Sequence, residues 1–174
     1  MTVAILVMGV LPVLLAAAAV SDLMTYKIPN VIPGVMILLF IAFLILLALG
    51  GHALSWREMS PHLLAGTLGL IAGMVLFALG WIGGGDAKFF AAALLWLGWD
   101  ALFGYAIVAS LLGGVLTVGL ITLRKIPQPA FLIRQAWFAR LSDQKAGVPY
   151  GIALALAALL ILPYTHVFKI AALG

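Results

Sequence analysis

The chain has 174 residues, of which 66 % are apolar and only 8 % charged, with a formal net charge of +4 and a mean hydropathy of +1.29. Soluble domains are about 45–50 % apolar and about 25 % charged, so a water-soluble globule is excluded, as is a disordered chain, which needs low hydrophobicity and high net charge. Without a single cysteine, disulfide frameworks, thiolate metal sites and thiol nucleophiles are excluded too.

A hydrocarbon core about 30 Å thick needs about 20 apolar residues of helix to cross it, and the chain divides into six such segments, predicting an all-α, polytopic membrane protein. The first, Thr2 to Val20, ends in Ala16 to Ala19 like a secretory signal. No cation precedes it, however, and the first one, Lys27, follows, so the segment is expected to remain as a helix with its amino terminus outside. Asp22 comes next, then Ile28, Pro29 and Asn30 as a turn, with Asn30 read as the N-cap of the second span, Val31 to Gly50. The third span, His62 to Gly80, carries Gly69 and Gly73, a small-xxx-small pair suited to close helix packing.

Gly83, Gly84, Gly85 and Asp86 then open an apolar stretch, Ala87 to Leu123, whose only charges are Lys88 at its start and Asp100. It reads as two helices. The first, Ala87 to Trp99, would be only about 20 Å long at 1.5 Å per residue and is too short to cross alone. The Gly-rich segment therefore lies within the membrane profile in protein-buried backbone, or the bilayer thins there. Asp100 is read as the cap of the fifth helix. In the basic loop at about 124–147, Pro127 and Pro129 stop that helix, and Phe131, Leu132, Trp137 and Phe138 interleave with Arg134 and Arg140 as in a short helix at the lipid surface. The sixth span is roughly Val148 to Val167, and residues 1–174 read as one transmembrane domain.

Six spans starting outside put Lys27, Lys88, Arg124, Lys125, Arg134, Arg140 and Lys145 on the cytoplasmic side, against only Arg57 and Lys169 outside. That asymmetry follows the positive-inside rule. The basic charge therefore reports topology and contact with lipid headgroups, not a nucleic-acid partner.

The five acids are Asp22, Glu58, Asp86, Asp100 and Asp143. Glu58 beside Arg57, Asp100 at a helix start and Asp143 in the basic loop have structural readings. Asp22 and Asp86 differ, because the cation count places both at the cytoplasmic edge of the apolar layer. An acid near hydrocarbon costs roughly 2.5 to 3.5 kcal/mol even on the lenient insertion scale, which makes function the default reading. Two such carboxyls around one water can share a proton: the ionised one takes a proton from water while the protonated one polarises a carbonyl, and peptide hydrolysis follows. Gly83 to Gly85 would let a peptide backbone approach closely, but lack the phosphate-loop pattern. Lys88, two residues beyond Asp86, faces another way on a helix and suits snorkelling to headgroups. His52, His62 and His166 lie at the outer ends of spans and form no ligand spacing with Glu58, so no metal or other cofactor is expected.

Asp22 followed by Ile28, Pro29 and Asn30, then Gly83, Gly85 and Asp86 with Lys88 two further on, then Pro149, Tyr150 and Gly151 before the last helix, resemble the prepilin peptidases. These are GxGD-type intramembrane aspartyl proteases of bacterial pilus and type II secretion systems, with archaeal preflagellin peptidases as relatives. The resemblance spans nearly the whole chain. It implies that Asp22 and Asp86 are the catalytic pair, that Gly83, Gly84, Gly85, Lys88, Pro149, Tyr150 and Gly151 support them or the substrate, and that the partner is a prepilin. The basic leader of that prepilin would be removed at the cytoplasmic face of the bacterial inner membrane, where a multi-pass protein is expected.

Bifunctional members add a soluble region with a four-cysteine zinc site and methylate the new amino terminus. This chain opens on a span and has no cysteine, so it is expected to be the short, peptidase-only form found with Tad/Flp-type pili, without a methyltransferase or zinc domain. Ile152 departs from the relatives, where a second Pro is common. Pro149 and Gly151 also suit an ordinary helix entry, with a Tyr150 hydroxyl near the acid pair as the other reading. Two further functions use the same features: an ion or proton translocator with the two acids as relay, and a non-enzymatic subunit of a pilus assembly machine.

Overall fold

Inside hydrocarbon no water can satisfy the backbone, so each crossing segment must close its own hydrogen bonds as a helix. The computed structural model describes residues 2–173, and among them only helices and their connections occur, with no strand. Helix α1 is Thr2–Thr25, with a π-helical stretch at Ile5–Val10. Helix α2 is Val31–Leu49, α3 is Trp56–Ala78, α4 is Gly84–Leu97 and α5 is Trp99–Lys125, opening with a 3₁₀ turn. A single turn at Ala130–Ile133 leads to α6, Ala136–Ser142, and then to α7, Tyr150–Tyr164, and α8, His166–Leu173.

Helices α1, α2, α3 and α5 are long and apolar enough to cross a membrane, and α7 with α8 makes a fifth crossing if the bent pair is counted as one. A 56° bend between α7 and α8 falls within the segment expected as the sixth span, roughly Val148 to Val167. Pro163 cannot continue the helix, and Thr165 starts the next one by accepting the Phe168 N–H on its hydroxyl. Helix α4 is the short helix expected at Ala87 to Trp99, but it starts three residues earlier, so Gly84, Gly85 and Asp86 form its first turn instead of irregular backbone ahead of it.

Helix α4 sits at the centre. Its Ala87, Phe89, Ala91, Ala92, Ala93, Leu94, Trp96 and Leu97 are all buried, the pattern of a helix apolar all round because protein surrounds it. The small-residue face of α3 lies against it. A Cβ on Gly69 would stand 2.5 Å from Leu94 Cδ1, and one on Gly73 would stand 3.0 Å from the Ala87 Cα. On another side the Trp96 indole N–H donates to the Met36 carbonyl of α2 at 2.9 Å and packs edge-on against Phe40.

Three local expectations are corrected. The third span starts at Trp56 rather than His62, so His62 falls inside α3, buried, with its ring Nδ1 3.0 Å from the Leu95 carbonyl. Asp100 lies within the 3₁₀ turn Trp99–Ala101, which has no side-chain cap bond. Asn30 occupies the N-cap position of α2 without capping it, because its side-chain oxygen accepts from Lys88 Nζ at 2.9 Å instead.

Candidate active site

The buried face of α1 runs Val7, Leu11, Leu15, Ala18, Asp22. These steps of four, four, three and four residues are one helical stripe, so Asp22 continues an apolar face into the protein and is only 3 % exposed. The helix extends past the expected end at Val20 because Ser21 and Thr25 fold their hydroxyls back: both donate to the Lys27 carbonyl, at 3.0 and 3.1 Å. Tyr26 then adopts a left-handed conformation, φ 58°, with its N–H on the Asp22 carbonyl. The turn drives Ile28 inward, where it is buried.

Asp86 arises differently. It is the third residue of α4, and its carboxylate reaches back to accept the Gly83 N–H at 3.1 Å, which satisfies one of the free donors of the helix start. A side chain on Gly83 would crowd that carboxylate, since its Cβ would lie 2.9 Å from Asp86 Oδ2.

Ile28 joins the two halves. A Cβ on Gly85 would lie 2.7 Å from the Ile28 carbonyl oxygen, and a Cβ on Gly151 would lie 2.7 Å from Ile28 Cδ1 and 2.8 Å from Asp22 Oδ2. Only bare backbone fits at both positions. Gly151 also donates its N–H to Asp22 Oδ2 at 2.7 Å, across a sequence separation of 129 residues. Asp22 and Asp86 are thus each held by a backbone N–H, and the glycines beside them, Gly151 and Gly85, pack on the same isoleucine.

The remaining predicted residues divide. Pro149 is fully buried at the entry to α7. Tyr150 turns toward α5, its hydroxyl 3.3 Å from the Thr117 hydroxyl and its ring against Gly113. Lys88 is exposed and bonds Asn30 rather than either carboxylate. Gly84 packs beside Phe77 without crowding. Sequence reasoning passed over Tyr26, Thr117 and Arg124. Burial holds the Tyr26 phenol above its ordinary range, which keeps it neutral and able to donate toward the Arg140 carbonyl at 3.5 Å. Nothing in their spacing ties these residues to the acids. Only polarity was available as a signal, at a span end for Tyr26 and Arg124 and inside α5 for Thr117. Among the described residues no group of three or more His, Asp or Glu could hold a metal ion.

A family model for the type IV leader peptidase family matches residues 9–118, a stretch that holds both aspartates and the glycine run. The chain belongs to the type IV leader peptidase family. It is similar to two prepilin leader peptidase/N-methyltransferases of Aeromonas salmonicida, one of them from strain A449, each 34 % identical over 112 residues. The matched region covers 51 % of this chain and 38 % of the relatives, so this chain corresponds to well under half of their length. No solved structure matches. The leader peptidase family model stops before the basic loop and before Gly151, so the bond from Gly151 to Asp22 was visible only in the fold.

Proposed function

We propose that this protein is a membrane-embedded aspartyl endopeptidase that removes the basic leader from a type IV prepilin, of the Tad/Flp kind, at the cytoplasmic face of the inner membrane. The observation that carries the reading is that Asp22 and Asp86 each accept a backbone N–H, and that Gly151, the donor to Asp22, and Gly85, the neighbour of Asp86, both pack on Ile28. With one of them ionised and the other protonated, the ionised member takes a proton from a water as its oxygen attacks the scissile carbonyl. The protonated member gives its proton to the carbonyl oxygen, forming a neutral tetrahedral diol. The diol then collapses: the C–N bond breaks, the leaving nitrogen receives the proton taken from water, and one diol hydroxyl gives its proton to the carboxylate that had protonated the carbonyl, so the pair returns to its starting state.

The surroundings suit such a substrate. An apolar cleft lined by Leu76, Ile82, Phe90, Ala109, Tyr150 and Leu154 starts one helical turn beyond Asp86 and beside Gly151, and could receive the apolar helix that follows a leader. Cations gather at the same end: Arg140 reaches the Met24 carbonyl just past Asp22, and Lys88 lies two residues past Asp86. The positive-inside rule supports a cytoplasmic location for that end. Because the chain contains no cysteine, it cannot build a four-cysteine zinc site from its own residues.

The test is cleavage of a purified prepilin in liposomes, read by mass analysis of both product ends. Asp22→Asn and Asp86→Asn are each expected to abolish cleavage while the protein still inserts and keeps its helix content. Retained cleavage in either variant removes that residue from the pair. Acid-dependent proton flux without cleavage would favour a translocator.

A further inference from the structure

Arg124 enters the sequence reading only as a cytoplasmic charge, yet its guanidinium spends three donors on carbonyls of the loop that precedes α7. Nε donates to the Leu141 carbonyl at 2.8 Å, Nη1 to the Ala146 carbonyl at 2.9 Å and Nη2 to the Gly147 carbonyl at 2.8 Å. Three acceptors around one planar fork is geometry that an ammonium, a point charge on a flexible stem, does not reproduce.

The clamped carbonyls lie next to the Asp22 contact. Only Val148, Pro149 and Tyr150 separate Gly147 from Gly151, and they have no slack: proline fixes its own φ, Pro149 is fully buried, and the Tyr150 N–H is tied to the Val148 carbonyl at 2.9 Å. The same face of α5 holds this connection a second time. Gly113, Thr117, Leu120 and Arg124 follow at helical spacing, with the Tyr150 ring on Gly113 and its hydroxyl on Thr117. From the other side Arg140 fastens the loop to α1 by donating to the Met24 carbonyl at 2.9 Å, two residues beyond Asp22.

We propose that Arg124 is a positioning residue for Asp22: by gathering the Leu141, Ala146 and Gly147 carbonyls it sets where the Gly151 N–H stands, and so orients the Asp22 carboxylate toward the reacting peptide. The proposal rests on the protease reading of the acid pair. It also gives the basic loop a role besides headgroup contact, since the loop becomes the strap that seats the start of α7 against the end of α1.

The experiment compares wild type, Arg124→Lys and Arg124→Gln in nanodiscs by hydrogen–deuterium exchange of the peptides covering 141–156 and by steady-state cleavage of a prepilin. Arg124→Lys preserves the charge that governs insertion, and Arg124→Gln preserves polarity with donors in one direction only. Both variants are expected to exchange faster at 146–152 with α2 and α3 unchanged. Their kcat is expected to fall by about 10²-fold, the usual cost of a displacement near 1 Å at a reacting group, with KM for the precursor little changed. Unchanged exchange at 146–152 overturns the proposal, and so does a wild-type kcat in both variants or a loss confined to KM. A wild-type protein that cleaves nothing overturns the protease reading instead, and the exchange data still decide whether Arg124 holds Gly151 against Asp22.

Discussion

Three consecutive glycines precede Asp86, and the fold treats them unequally. A methyl group on Gly85 would stand 2.7 Å from the Ile28 carbonyl oxygen and 3.4 Å from both Ile28 Cβ and Ile28 N. Carbon and oxygen settle at roughly 3.3 Å or more even in favourable contacts, so Gly85→Ala forces a separation of about 0.6 Å between the start of α4 and the 26–30 turn. Neither side yields cheaply. The turn is braced by Ser21 and Thr25 on the Lys27 carbonyl, and α4 is buried along most of its length.

Overpacking of this kind costs about 1–3 kcal/mol, and the displacement is transmitted directly to Asp86, the next residue, where a shift approaching 1 Å costs up to about 10²-fold in rate. Gly84→Ala meets the Phe77 ring at ordinary contact distance, nearest at Cε2, 3.4 Å, and removing a glycine at a compatible position gains about 0.4–1 kcal/mol. The expected outcome is therefore a ranking: Gly84→Ala cleaves at or near the wild-type rate and is as stable or slightly more so, whereas Gly85→Ala is less stable and slower by one to two orders of magnitude. Initial rates of precursor cleavage in liposomes, paired with denaturation in mild detergent, give both numbers. Equal activity in the two variants, or the reverse order, refutes the geometric argument whatever the assignment of the aspartates.

Other expectations concern the frame around the site. Trp96→Ala removes the side chain that joins α4 to Phe40 and to the Met36 carbonyl, and should lower stability by about 3–5 kcal/mol; a loss no larger than that of Val115→Ala, at an exposed position, would refute it. Gly98→Ala places a side chain at φ +82° with its Cβ 3.0 Å from His62 Cε1. That region costs a non-glycine residue about 1–3 kcal/mol, so adding His62→Ala should recover only the contact part of the loss, and full recovery would contradict the backbone argument. For topology, the absence of cysteine gives a clean background: Lys145→Cys should resist a membrane-impermeant maleimide in intact cells while Arg57→Cys is labelled, and the opposite pattern inverts the orientation.

Composition and hydropathy sufficed for the helical class, because a chain with so little charge has nowhere to go but lipid, and lipid admits few backbone solutions. The shortness of α4 was legible for the same reason: a helix of thirteen or fourteen residues cannot span about 30 Å. The aspartates were legible as oddities, acids at the ends of apolar runs, and Asp22 also continues the four-and-three spacing of the buried stripe of α1.

What the chain order could not reveal was the partner of each group. Asp22 finds its N–H donor 129 positions away, Asn30 gives its oxygen to Lys88 instead of to its own helix, and Arg124 closes on three carbonyls instead of resting among headgroups. Hydropathy records how each residue feels about its solvent, a property of the residue alone. A hydrogen bond between distant segments depends on where packing leaves their backbones, and that position is set only when the small faces of α3 and α4 close on each other and the loop after α5 folds back over the end of α1.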